Sequence, residues 1–71
     1  MENVRQILAR NLRLARQAAG ISQEDLADLA QIDRTYVSGI ERGVRNPTIE
    51  VVARFAKALG TTTAGLLTKV R

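Results

Sequence analysis

The stretch Gln23-Glu24-Asp25-Leu26-Ala27-Asp28-Leu29-Ala30-Gln31-Ile32-Asp33-Arg34-Thr35-Tyr36-Val37-Ser38-Gly39-Ile40-Glu41-Arg42 decides how the rest of this 71-residue chain folds. It reads as two short helices joined by a tight turn. Ser22, with Asp25 three residues on, fits a capping box, and the acidic first turn suits the positive end of a helix dipole. Leu26, Leu29 and Ala30 are expected to point inward, and Ala27 is small where a second helix crosses closely. This helix should end near Ala30. A turn over Gln31, Ile32 and Asp33 follows, with Ile32 apolar and buried and Asp33 as the next N-cap. On a wheel at about 100° per residue, Val37, Ile40 and Glu41 share one face of the following helix. Thr35, Ser38, Gly39 and Arg42 lie opposite, and Arg34 and Tyr36 flank the first turn. Burying Val37 and Ile40 therefore presents Arg34, Thr35, Tyr36, Ser38 and Arg42 to whatever lies outside.

Working outward, Val4, Ile7, Leu8, Leu12 and Ala15 recur at helical steps and predict a helix from about Asn3 to Ala19, ended by Gly20. Arg5, Arg10 and Arg13 ring its outer side, as either a solvated face or phosphate contacts. Leu14 is off the stripe, a lone surface residue or part of a contact. Downstream, Gly43 to Pro47 reads as a loop. Pro47 and Thr48 mark the start of a helix whose stripe is Ile49, Val52, Phe55, Ala56 and Leu59, stopped by Gly60. Thr62 can cap a last short helix carrying Leu66 and Leu67. Val51, Leu66, Leu67 and Val70 offer an apolar patch for a dimer contact, unless Leu66 and a neighbour simply close the core.

Composition bounds the function. A chain this short buries little core and usually needs a staple. Cys and His are absent, which excludes disulfides and the common zinc sites and leaves self-association. No metal or other cofactor is expected. No apolar run is long enough to span a membrane, and no signal peptide is evident after Met1. A cytoplasmic location follows as the expectation. Eleven Lys and Arg against seven Asp and Glu, for a net charge of +4, suggest a polyanionic partner. Most of those cations are arginine, which bridges phosphates and guanine edges bidentately. The donor-rich outer face of the Arg34 helix suits a reader of the DNA major groove. An enzyme is not expected, since no catalytic constellation or glycine-rich phosphate loop is present.

The positions of Gln23, Ala27, Ile32, Val37 and Ile40 resemble the lambda-repressor-like, Cro/XRE-type helix-turn-helix. The run Ile21-Ser22-Gln23-Glu24-Asp25-Leu26-Ala27 looks like that family's approach to its first motif helix. Asp33 to Gly43, with Arg45 and Asn46 close behind, resembles the recognition helix of restriction–modification controller proteins. The resemblance covers about residues 8 to 67. It implies an all-α, five-helix DNA-binding domain over residues 1–71, with the motif at about 22–42 and helices four and five at about 48–70. It implies a homodimer on a pseudo-palindromic operator, its recognition helices one DNA turn apart, about 34 Å.

By that resemblance, Gln23 looks like a phosphate ligand and Arg34 like the main base reader. Thr35 and Ser38 look like base or phosphate contacts. Tyr36 is either a backbone contact through its hydroxyl or a half-buried packing residue. Arg42, Arg45 and Asn46 would meet the DNA backbone. In this family an Arg at the place of Arg16 pairs with a Glu at the place of Glu41, tying the first helix to the third. Two residues depart from the pattern. Gln31 occupies a turn position usually held by Gly and often of positive φ. Gly39 sits inside the recognition helix, either for close approach to DNA or by mere tolerance. The implied function is transcriptional regulation by a controller, as activator and repressor. RNA polymerase is a candidate partner, with Glu24, Asp25 and Asp28 as candidate contacts, and no small-molecule ligand is expected. The alternative is a phage-type repressor or an antitoxin acting partly through protein–protein contact.

Overall fold

Each helix begins at a side chain that accepts a hydrogen bond from its own first turn. In the computed structural model, which describes residues 3–69, these caps are Asn3, Ser22, Asp33, Thr48 and Thr62. They open α1 (Val4–Ala18), α2 (Gln23–Ala30), α3 (Arg34–Glu41), α4 (Ile49–Leu59) and α5 (Thr63–Leu67). No strand is present among the described residues. Ser22 and Asp25 form the full reciprocal capping box. Such caps satisfy amides that an isolated helix leaves without partners, each typically contributing about 1 kcal/mol.

The turn between α2 and α3 is set by its left-handed residue. Gln31 has φ 57°, the one non-glycine with positive φ among the described residues. Its amide donates to the Asp28 carbonyl at 3.2 Å, and the Ile32 amide donates to Ala27 at 2.9 Å. This paired pattern satisfies the last carbonyls of α2 and reverses the chain within a few residues. The expected strain at Gln31 is therefore present, at roughly 1–2 kcal/mol relative to a residue without a Cβ.

α1 packs on α3 and α5, α2 packs on α3 and α4, and α4 closes against α5. The side chains of Leu12, Leu26, Val37, Ile40, Phe55 and Leu66 meet at the centre, each fully buried. Burying one such side chain contributes about 1.5–3 kcal/mol. Asn11 is also buried, and its amide donates to the carbonyls of Leu66 (2.9 Å) and Thr68 (2.7 Å). It thereby holds the end of the short α5 against α1.

Several expected core positions are corrected. Leu29 is 61% exposed. The buried arc of α2 runs through Leu26, Ala30 and Ala27, and Leu29 falls on the far side of Leu26, outside it. Val4 and Ile49 are exposed too. Each is the first residue of its helix, and together with Pro47 and Leu67 they line an open groove. Leu66 belongs to the core and is not available for the expected dimer patch. Val51 and Leu67 are half-buried, and Val70 lies outside the described residues.

Candidate nucleic-acid interface

Helix α3 is clamped to the body along one face. Val37 and Ile40 enter the core, and Glu41 is buried beside them. A buried carboxylate is costly unless it is paired and hydrogen-bonded. Arg16 of α1 supplies that pairing in bidentate form, Nε donating to Oε2 at 2.7 Å and Nη2 to Oε1 at 3.0 Å. Its Nη1 also donates to the Ile21 carbonyl at 2.9 Å, just ahead of α2. The bonds to Glu41 raise the Arg16 pKa above its ordinary value, against the opposing effect of burial. One guanidinium thus spans α1, α3 and the approach to α2.

Two further groups join this clamp. Arg13 Nη2 donates to the Glu41 carbonyl at 2.7 Å, satisfying a backbone acceptor at the C-terminal end of α3 where the helix dipole favours a cation. Gln23 Nε2 donates to Glu41 Oε1 at 3.1 Å. Neither contact was read from the sequence. For Arg13 the signal was its position three residues before Arg16, which puts both on one side of α1. For Gln23, nothing in local periodicity indicates a partner 18 residues away.

The opposite face of α3 is open. Gln23, Arg34, Thr35, Ser38 and Arg42 line one depression of about 220 Å³. Arg34, Thr35 and Arg42 are exposed, and Ser38 and Gln23 are half-buried. Within this set the polar groups are unequally free. Thr35 Oγ1 donates to Asp33 Oδ1 at 2.6 Å, and the Thr35 amide donates to the same oxygen at 2.8 Å. These two bonds hold the Asp33 carboxyl below its ordinary pKa. Thr35 therefore offers its methyl group and hydroxyl lone pairs outward, while its proton serves the helix cap. The Gln23 amide retains a second N–H beyond the one given to Glu41.

The other predicted site residues stand apart from the depression. Tyr36 is half-buried against the core, and Arg45 lies over its ring with the guanidinium carbon 5.7 Å from the centroid. Asn46 is exposed but borders the groove of Val4, Pro47 and Ile49 rather than the Arg34 depression. Gly39, expected on the open face, is buried, and what covers it is the Arg45 side chain. Among the described residues no cluster of His, Cys, Asp or Glu is arranged to hold a metal, and no helix is long and apolar enough to cross a membrane.

Residues 12–66, which hold the clamp, the turn and the open face, match the helix-turn-helix family model. The chain belongs to the helix-turn-helix family. Control protein C.SmaI of Serratia marcescens is 40% identical over 67 residues, covering 94% of this chain and 80% of that protein. The crystal structure of the hypothetical transcription factor NHTF from Neisseria superposes with a TM-score of 0.92 at 42% identity, covering 94% of this chain and 77% of that one. The restriction-modification controller protein C.Esp1396I, solved as a tetramer with its natural 35 base-pair operator, has a TM-score of 0.83 at 33% identity. The match covers 93% of this chain and 87% of that one. These helix-turn-helix relatives are regulators rather than enzymes.

Proposed function

We propose that this protein is a transcription regulator of the restriction–modification controller type, binding a pseudo-palindromic operator as a homodimer. The observation that carries the reading is the two-sidedness of α3. One face is fixed by Val37, Ile40 and the Arg16–Glu41 pair, and the other converges Gln23, Arg34, Thr35, Ser38 and Arg42 on one depression. An α-helix fits the DNA major groove, and an exposed arginine at its start can bridge guanine O6 and N7. Arg34 is the base reader in this scheme. Ser38 and the Thr35 methyl meet neighbouring base edges. The free Gln23 N–H, Arg42, Arg45, Asn46 and the Tyr36 hydroxyl hold the phosphate backbone, which positions the helix without carrying sequence information.

Residues 1–71 act as one DNA-binding unit in the cytoplasm, without catalysis, metal or small-molecule effector. Regulation then follows from concentration and self-association. With Leu66 in the core, the second copy is met by Leu67 and Val51, extended by the exposed Ile49 and Val4. Where the operator lies relative to a promoter sets whether the bound dimer blocks RNA polymerase or recruits it. The exposed Glu24, Asp25 and Asp28 of α2 are the candidate polymerase contacts.

The test is selection of bound duplexes from a random pool at stated salt. The expected product is an inverted repeat with guanines at matching half-site positions, and an Arg34→Ala protein loses the preference at those positions. Retention that falls with salt but enriches no sequence would mark nonspecific association and remove the operator reading.

A further inference from the structure

Gly39 is buried inside an eight-residue helix whose open side faces outward, and a glycine there weakens the helix by about 1 kcal/mol relative to alanine. A Cβ added at Gly39 would overlap Arg45 Cγ and stand 3.4 Å from Nε and 3.5 Å from Cβ of the same side chain. Arg45 is brought there by the loop that leaves α3. Gly43 has φ +75°, and the amides of Val44 and Arg45 both donate to the Gly39 carbonyl, at 2.9 and 3.2 Å. The loop is thus fastened to the same residue whose missing side chain opens the path. From that anchor the Arg45 stem crosses bare backbone and its guanidinium reaches the ring of Tyr36, one turn back along α3.

We propose that Gly39 is a positioning residue for operator binding, acting by seating Arg45 on α3 as a preordered cation. This inference rests on α3 being the DNA-contacting helix. Long side chains lose rotamer freedom on binding, and one already stacked on an aromatic ring loses less. Residue 39 then governs affinity without touching DNA. The space beside it is already filled in the free protein, so close approach of DNA is not what excludes a side chain. A regulator that carries a larger residue here gives up this seat for the cation from the loop.

The experiment is a double-substitution cycle on the full chain with its selected operator, joined to NMR of the free protein. Gly39→Ala should weaken operator binding about 2- to 12-fold, the equivalent of ordering one long side chain (about 0.5–1.5 kcal/mol). In an Arg45→Ala background the same change should alter binding by less than about 1.5-fold, because no cation is left to seat. The Arg45 γ and δ protons should be shifted upfield by the Tyr36 ring in the unsubstituted protein and return to the range of exposed Arg5 and Arg10 in Gly39→Ala. Equal weakening in both backgrounds would show that the added methyl meets DNA itself, and unchanged binding by Gly39→Ala would show that the seat is irrelevant. Either result overturns the proposal. So would Arg45 protons already at exposed-arginine positions in the unsubstituted protein, a readout that needs neither a folded variant nor DNA. A chain that selects no operator removes the DNA reading instead and leaves the spectroscopic test of the seat intact.

Discussion

Replacing Glu41 with alanine takes away the acceptor of three side-chain donors at once. Arg16 loses the bonds to Oε2 and Oε1, and Gln23 loses its bond to Oε1. The Arg16 guanidinium, whose side chain is only 14% exposed, keeps one carbonyl, that of Ile21. Breaking one side of a buried pair typically destabilises by about 3–5 kcal/mol, because the remaining charge stays desolvated. The Ile21 bond and the residual exposure of Arg16 place this case toward the lower end, about 3 kcal/mol. A domain of this size is stable by roughly 4–10 kcal/mol, so much of the margin disappears. At about 4–8 °C per kcal/mol, the Tm falls by about 12–24 °C. The assay is thermal and urea unfolding followed by far-ultraviolet circular dichroism at one protein concentration, because self-association shifts Tm. Glu41→Gln keeps an acceptor oxygen and should fall between the two. Arg16→Met combined with Glu41→Leu should recover much of the loss, since an apolar pair leaves no charge stranded. A Glu41→Ala protein melting within about 3 °C of the parent, less than 1 kcal/mol, would refute the claim that this pair fixes α3.

Arg34→Ala should leave the Tm within about 3 °C, as for an exposed residue with no tertiary partner among the described residues, while weakening operator binding by about 1–3 kcal/mol in a gel-shift titration. If it unfolded the protein and bound normally when folded, the faces of α3 would be reversed. Gln31→Gly should stabilise the turn by up to about 1 kcal/mol, because relief of the left-handed strain exceeds the added chain entropy; a lower urea midpoint would contradict this. Asp33 has a depressed carboxyl pKa in the folded chain through its two bonds from Thr35. Its contribution is therefore present above the unfolded value near 4 and is lost as pH falls through the lower folded value. The stability advantage of the parent over Asp33→Asn should shrink on acidification below about pH 4, and an advantage that grew there would reverse the sign.

Much of this protein is legible from local chemistry. Ser22, Asp33, Thr48 and Thr62 mark helix starts because each side chain reaches only its own first turn. Gly20, Gly43 and Gly60, together with Gln31, mark where the chain turns left-handed. The period of Val37 and Ile40 assigns the two faces of α3, and with them Arg34, Thr35, Ser38 and Arg42 of the outward set, which line one depression, whereas Tyr36 and Gly39 do not. These features depend on bonds spanning at most five residues. Only the tertiary structure decided that Leu29 and Ile49 face outward, because exposure depends on where neighbouring helices stop covering a surface that periodicity marks as apolar. It alone placed Leu66 in the core, fastened Gln23 to the same carboxylate as Arg16, and laid Arg45 over Gly39. The first joins α5 to a centre built mainly by earlier helices, and the second brings three helices to one carboxylate. The third needs a loop folded back along the helix it has just left, where a missing side chain becomes visible only once another has filled its place.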